Sequence, residues 1–92
     1  MQVNTYFDGA VKSIAFENSE GSATSGVMQP GQYQFSTSKD EKMVVTSGSL
    51  KVTLPGETES VVYSSGQVFN VQANCSFKVE ASCATAYLCF YS

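Results

Sequence analysis

Apolar residues in this chain recur at every second position and nowhere keep a helical spacing for long. In Leu50-Lys51-Val52-Thr53-Leu54 three apolar side chains fall on one side, with Lys51 and Thr53 on the other. Tyr33 and Phe35 share a side with Thr37, Cys75-Ser76-Phe77-Lys78-Val79 alternates with its odd positions inward, and Phe69 and Val71 repeat the pattern after Gly66. Successive side chains of a strand point to opposite faces, so this period predicts strands with one buried face. The last run, Ala86 to Tyr91, is apolar on both faces, which predicts burial on both sides or an oligomer contact. Turn signals such as Glu20-Gly21-Ser22, Pro30-Gly31, Ser47-Gly48-Ser49, Pro55-Gly56, Ser64-Ser65-Gly66 and Ala73-Asn74 punctuate the chain about every ten residues. The expectation is an all-β chain of eight or nine short strands, closed or nearly closed into a barrel that removes exposed edges. No repeat, linker or low-complexity tract interrupts it, so residues 1–92 read as a single domain.

Composition narrows the function. A chain of 92 residues buries roughly 60–70% of its extended surface, enough for one core but not for an elaborate cleft. The net charge is −3 and every basic residue is a lysine, Lys12, Lys39, Lys42, Lys51 and Lys78. That argues against a nucleic-acid groove and removes the bidentate guanidinium clamp for phosphate. There is no histidine, hence neither the commonest general acid–base nor the commonest metal ligand. No apolar run approaches a membrane span, and the polar start MQVNTYFDGA lacks the charged and apolar regions of a signal peptide. Cys75, Cys83 and Cys89 cannot all pair within one chain and have no C-x-x-C spacing. They read as buried, reduced small hydrophobes and point to the cytoplasm.

Six residues separate Glu41 from Gly48, and Gly66 precedes a second turn at Gln72 to Asn74. Together they resemble the two motifs of the cupin, a double-stranded β-helix or jelly-roll barrel. Aligned on that frame, the histidine positions carry Phe35, Thr37 and Phe77, and the second motif's Pro and Gly carry Gln72 and Asn74. A metal of this class needs imidazole and carboxylate together, and Glu41 alone is not a site.

Longer strings are more specific: Tyr6-Phe7-x-Gly9, Val11-Lys12-Ser13-Ile14-x-Phe16, Gly26-Val27-Met28-x-Pro30-Gly31-x-Tyr33-x-Phe35-Ser36-Thr37, Glu41-x-Met43-x-Val45, Ser47-Gly48-x-Leu50-x-Val52-x-Leu54-Pro55-Gly56, Gly66-x-x-Phe69-x-Val71 and Tyr87-Leu88-Cys89. Over almost the whole chain these resemble the small cupin family of pyrimidine/purine nucleoside phosphorylases. The resemblance implies a homodimer that phosphorolyses purine and pyrimidine nucleosides to free base and ribose 1-phosphate. It implies inorganic phosphate as co-substrate, with no metal and no cofactor. Two departures are Gln72 for the motif's proline and Phe90 where the family is polar or basic.

Glycosidic C–N cleavage passes through an oxocarbenium-like state, which orientation and electrostatics can stabilise without a metal. On that expectation Phe35, Phe77, Tyr33 and Phe69 are the aromatic candidates, since an aromatic face stacks on any base. Glu41 would accept the ribose hydroxyls. Ser36, Thr37, Ser47 and the amides near Gly48 would donate to phosphate, with Lys12 as the cation. The leaving base would take its proton from Tyr91, Tyr33, Glu41 or water. Two other readings compete: a non-catalytic module binding a small polar metabolite, and a metal-dependent cupin isomerase or dioxygenase.

Overall fold

A computed structural model describes residues 1–92 and resolves the alternation into ten strands: β1 (Val3–Tyr6), β2 (Val11–Asn18), β3 (Gly21–Met28), β4 (Gly31–Ser36), β5 (Glu41–Ser47), β6 (Ser49–Thr53), β7 (Val61–Ser64), β8 (Val68–Val71), β9 (Ser76–Ala81) and β10 (Thr85–Tyr91). One 3-10 turn, Phe7–Gly9, links β1 to β2. The two short strands β1 and β7 are largely exposed on both faces, so neither carries the apolar alternation that marks the others.

The strands form two antiparallel sheets, one ordered β1-β2-β3-β10-β5-β8 and the other β4-β9-β6-β7. The expected closure is therefore a pairing of two sheets rather than a continuously bonded ring. Four edges remain, and three of them, β1, β7 and β8, are only four residues long. Short edges present few free backbone groups to another chain.

Most of the predicted inward positions are buried, while Phe35, Leu54 and Cys75 are half-buried. Leu50, Val52, Phe69, Val71, Phe77 and Val79 join Val11, Met28, Val45 and Tyr87 in one core between the sheets. The doubly apolar last run is the inner strand β10, hydrogen-bonded to β3 on one side and β5 on the other. Tyr87 and Cys89 face the core, while Leu88 and Phe90 are half-buried on the outer surface.

Two glycines set the geometry. Gly26 lies under the Tyr87 ring, where a Cβ would meet Tyr87 Cζ at 2.6 Å. Gly48 carries the chain from one sheet to the other in the left-handed region, with φ +98. A Cβ there would stand 2.5 Å from Thr85 Oγ1. The Thr85 hydroxyl receives the Ser49 N–H at 3.3 Å and donates to the Ser49 carbonyl at 3.1 Å, locking the crossover. Gly48→Ala is expected to lower stability by about 2–4 kcal/mol through backbone strain and overpacking. Thermal or denaturant unfolding measures it.

Candidate functional site

Register along β2, β3, β10 and β5 brings one polar wall together. Ser13 pairs with Gly26, which pairs with Tyr87, which pairs with Val45. One row on, Thr24 pairs with Cys89 and Cys89 with Met43, and Tyr91 pairs with Glu41. Alternation keeps these side chains on the inner face, and a bulge between Ala86 and Tyr87 holds Tyr87 in phase. The opposite wall comes from the second sheet, where Phe35 and Phe77 are cross-strand partners with rings 5.7 Å apart.

Between the walls lies a cavity of about 370 Å³, within the usual range for small-molecule sites. Met28 and Met43 add apolar lining, and Tyr6, Phe7, Gln34 and Ser36 complete it. Six rings run through this end of the molecule in one contact chain, Tyr33–Phe7–Phe35–Phe77–Phe69–Tyr63, with successive centroids 4.8–6.2 Å apart.

The polar wall is neutral apart from Glu41, the only carboxyl that lines the cavity, and no lysine lines it. Burial raises the Glu41 pKa above its ordinary value of 4.5, partly offset by the Cys89 thiol, which donates to Glu41 Oε1 at 3.5 Å. Burial, then the nearby Glu41 charge, pushes Cys89 up to about 12, so it stays a thiol at neutral pH. Burial likewise pushes Tyr87 up to about 12 and Tyr91 above the ordinary tyrosine range. Tyr91 Oη shares a 3.0 Å hydrogen bond with Thr24 Oγ1. The wall thus holds hydroxyls that remain protonated donors around one carboxyl.

Of the residues singled out from sequence, Glu41, Phe35, Phe77, Ser36 and Tyr91 line the cavity. The others lie elsewhere. The Thr37 hydroxyl donates to the Gln72 carbonyl at 2.7 Å and receives the Cys75 N–H at 3.1 Å, so both its bonding directions pin a backbone turn. Lys12 and Ser47 are exposed and outside the lining. Tyr33 is buried and donates to the Gln29 carbonyl at 2.6 Å, which leaves its hydroxyl no proton for a leaving base. Phe69 is core, packed between Tyr63 and Phe77. Phe90 projects from the outer surface, with Lys42 Nζ 5.9 Å from its ring centre.

Residues that the sequence reading passed over include Ser13, Thr24, Tyr87 and Cys89 on the polar wall and Tyr6 and Phe7 beside it. Inward parity with Val11 was the available signal for Ser13. The cysteines also depart from uniform burial: Cys89 is buried, Cys75 half-buried and Cys83 exposed. Asn74, at the position the second motif gives to glycine, has φ 60. Asparagine tolerates that region better than most residues.

The family profile described as pyrimidine/purine nucleoside phosphorylase matches residues 1–91. A Rhodopirellula baltica relative named pyrimidine/purine nucleoside phosphorylase is 56% identical over 92 residues, covering all of both chains. A solved Vibrio parahaemolyticus protein of unknown function superimposes with TM-score 0.93 at 46% identity, covering 99% of this chain and 97% of that one. An RmlC-like cupin from Shewanella frigidimarina superimposes with TM-score 0.73 at 12% identity, covering 96% of this chain and 79% of that one, a likeness of fold alone. The fold is that of a cupin.

The raised Glu41 pKa has a stability consequence. Desolvation penalises the carboxylate, so the folded state favours the protonated form. The associated stability is fully present below the unfolded value of 4.5 and is lost as pH rises through the folded value. Glu41→Gln is therefore expected to melt higher than the parent at neutral pH, with the gap closing below pH 4.5. Melting curves across pH measure it.

Proposed function

The chain belongs to the pyrimidine/purine nucleoside phosphorylase family, and we propose that it carries out metal-independent phosphorolysis of purine and pyrimidine nucleosides alike. The observation that carries this reading is the two-sided cavity, aromatic on one wall and hydroxyl-rich on the other around Glu41. A nucleoside divides the same way, into a flat base and a hydroxylated sugar.

In this reading the base lies against the aromatic wall. The Glu41 carboxylate accepts the ribose hydroxyls and favours positive charge developing at C1′. A phosphate oxygen bonds to C1′ as the C1′–N bond breaks. The electron pair leaves with the base, which takes up the proton that the attacking hydrogenphosphate gives up, relayed by Tyr91 or water, and ribose 1-phosphate forms. Phosphate is met by neutral donors, with Ser36 and the Gln34 amide at the cavity and the protonated Tyr87 and Tyr91 within it. Fixed dipoles lining the cavity replace the absent cation. The donor set supports metal independence: one carboxyl, one protonated thiol and hydroxyls, without imidazole.

Partner and compartment belong to the same proposal. Across the outer face of the larger sheet, Ile14, Ser25, Leu88, Val44 and Val68 form one cross-strand row, flanked by Phe16 and Val27. A mostly apolar exposed face of this kind, bordered by Lys12 beside Val27, marks a contact site, and a homodimer through it accounts for the doubly apolar β10. Three unpaired cysteines suit a reducing cytoplasm, and no helix is long and apolar enough to cross a membrane. Val27→Glu is expected to yield monomers in sedimentation where the parent gives dimers.

Purified protein incubated with adenosine, inosine or uridine is expected to release free base and ribose 1-phosphate only when phosphate is present. Chromatography of the products tests this. Glu41→Gln should cut turnover about 100-fold, and the loss of parental activity at low pH should vanish in that variant. Ligand-induced thermal stabilisation with no product at any phosphate concentration would instead identify a binding module.

A further inference from the structure

A side chain stacks on a flat base only through a ring face that no other side chain covers. Phe77 is 3% exposed and packs against Phe35 at 5.7 Å and Phe69 at 6.2 Å. Phe35 is half-buried and touches Phe7, Tyr33 and Phe77. Phe7 differs from both. It lines the cavity, is 46% exposed, and leans on Tyr33 at 4.9 Å and edge-on against Phe35 at 5.5 Å and 88°.

The backbone beneath Phe7 is also unusual. Phe7, Asp8 and Gly9 have φ of 52, 56 and 92, three left-handed residues in succession. A bulky residue in that region is an outlier, and outliers of this kind gather where structure serves a ligand. The Ala10 N–H bonds back to the Phe7 carbonyl at 3.1 Å, and the Gln29 N–H holds the Ala10 carbonyl at 2.8 Å. This turn carries the ring to the lining of the cavity, where nearly half of the residue stays exposed.

We propose that Phe7, rather than Phe77, presents the surface on which the nucleobase stacks, and that it sets affinity for purine and pyrimidine nucleosides together. The proposal rests on the phosphorolysis reading for its substrate class. Tyr33 and Phe35 back the platform, and Phe77 in turn supports Phe35. Stacking uses no hydrogen-bonding edge of the base, so a single ring serves both base classes.

The test uses Phe7→Leu, Phe7→Tyr and Phe7→Trp in the full chain. Phe7→Leu is expected to raise KM about tenfold for adenosine and for uridine, the loss of one base stack. KM for phosphate and the melting temperature should stay near parental values, and Phe7→Tyr should restore nucleoside KM. The chain has no tryptophan, so Phe7→Trp is a single reporter whose emission should change on titration with adenosine, without phosphate. Unchanged nucleoside KM in Phe7→Leu, together with an adenosine-silent tryptophan, overturns the proposal. So does a loss confined to kcat and melting temperature, which would mark a purely structural role. If the parent releases no base, phosphorolysis fails as a reading, while the fluorescence titration still decides whether position 7 meets the base.

Discussion

Hydrogen-bonded register between β3, β10 and β5 is the constraint on which everything else rests. It sets Thr24 beside Cys89 beside Met43, and Gly26 beside Tyr87 beside Val45. A slip of one residue would turn every one of these side chains to the opposite face. The polar wall would move to the surface, and the outer residues Leu88 and Phe90 would move inward. Two local features hold the phase, the bulge before Tyr87 and the open space that Gly26 leaves under its ring. Neither has chemistry of its own, yet both decide where the hydroxyls point.

The wall works with few charges. With no histidine or arginine in the chain, the cavity combines one carboxyl with groups that burial keeps protonated. Neutral donors cost less to bury than cations, provided each has a partner. Thr24 and Tyr91 partner one another, and Cys89 partners Glu41. No buried side-chain nitrogen or oxygen lacks a hydrogen bond. A small barrel can therefore keep a polar interior surface without losing its core.

Period-two alternation made the strands and their inward faces readable, as at Leu50 and Val52 or Phe77 and Val79. It also placed Phe35 and Phe77 inside. What escaped depends on pairing across long separations. Nothing local to Thr37 reveals that its hydroxyl will reach the backbone of Gln72 and Cys75. Lys12 and Ser13 differ by a single step of strand parity, and the smaller residue is the one that faces the cavity. Phe7 was unreadable for a different reason: its position follows from left-handed backbone that an alternation pattern cannot signal. The barrel, in turn, is two sheets with open edges, and the edge strands β1 and β7 lack an apolar stripe.

Tyr6 stands near one end of the lining in sequence and Tyr91 at the other, with Glu41 and Phe77 between them. No contiguous stretch of the chain contains even a rudimentary version of this cavity. It exists only once the most distant strands have docked, which makes an occupied cavity a report of complete folding. Ligand binding would consequently draw on the cooperativity of the entire sandwich, and partly folded chains would be blind to any ligand of the cavity.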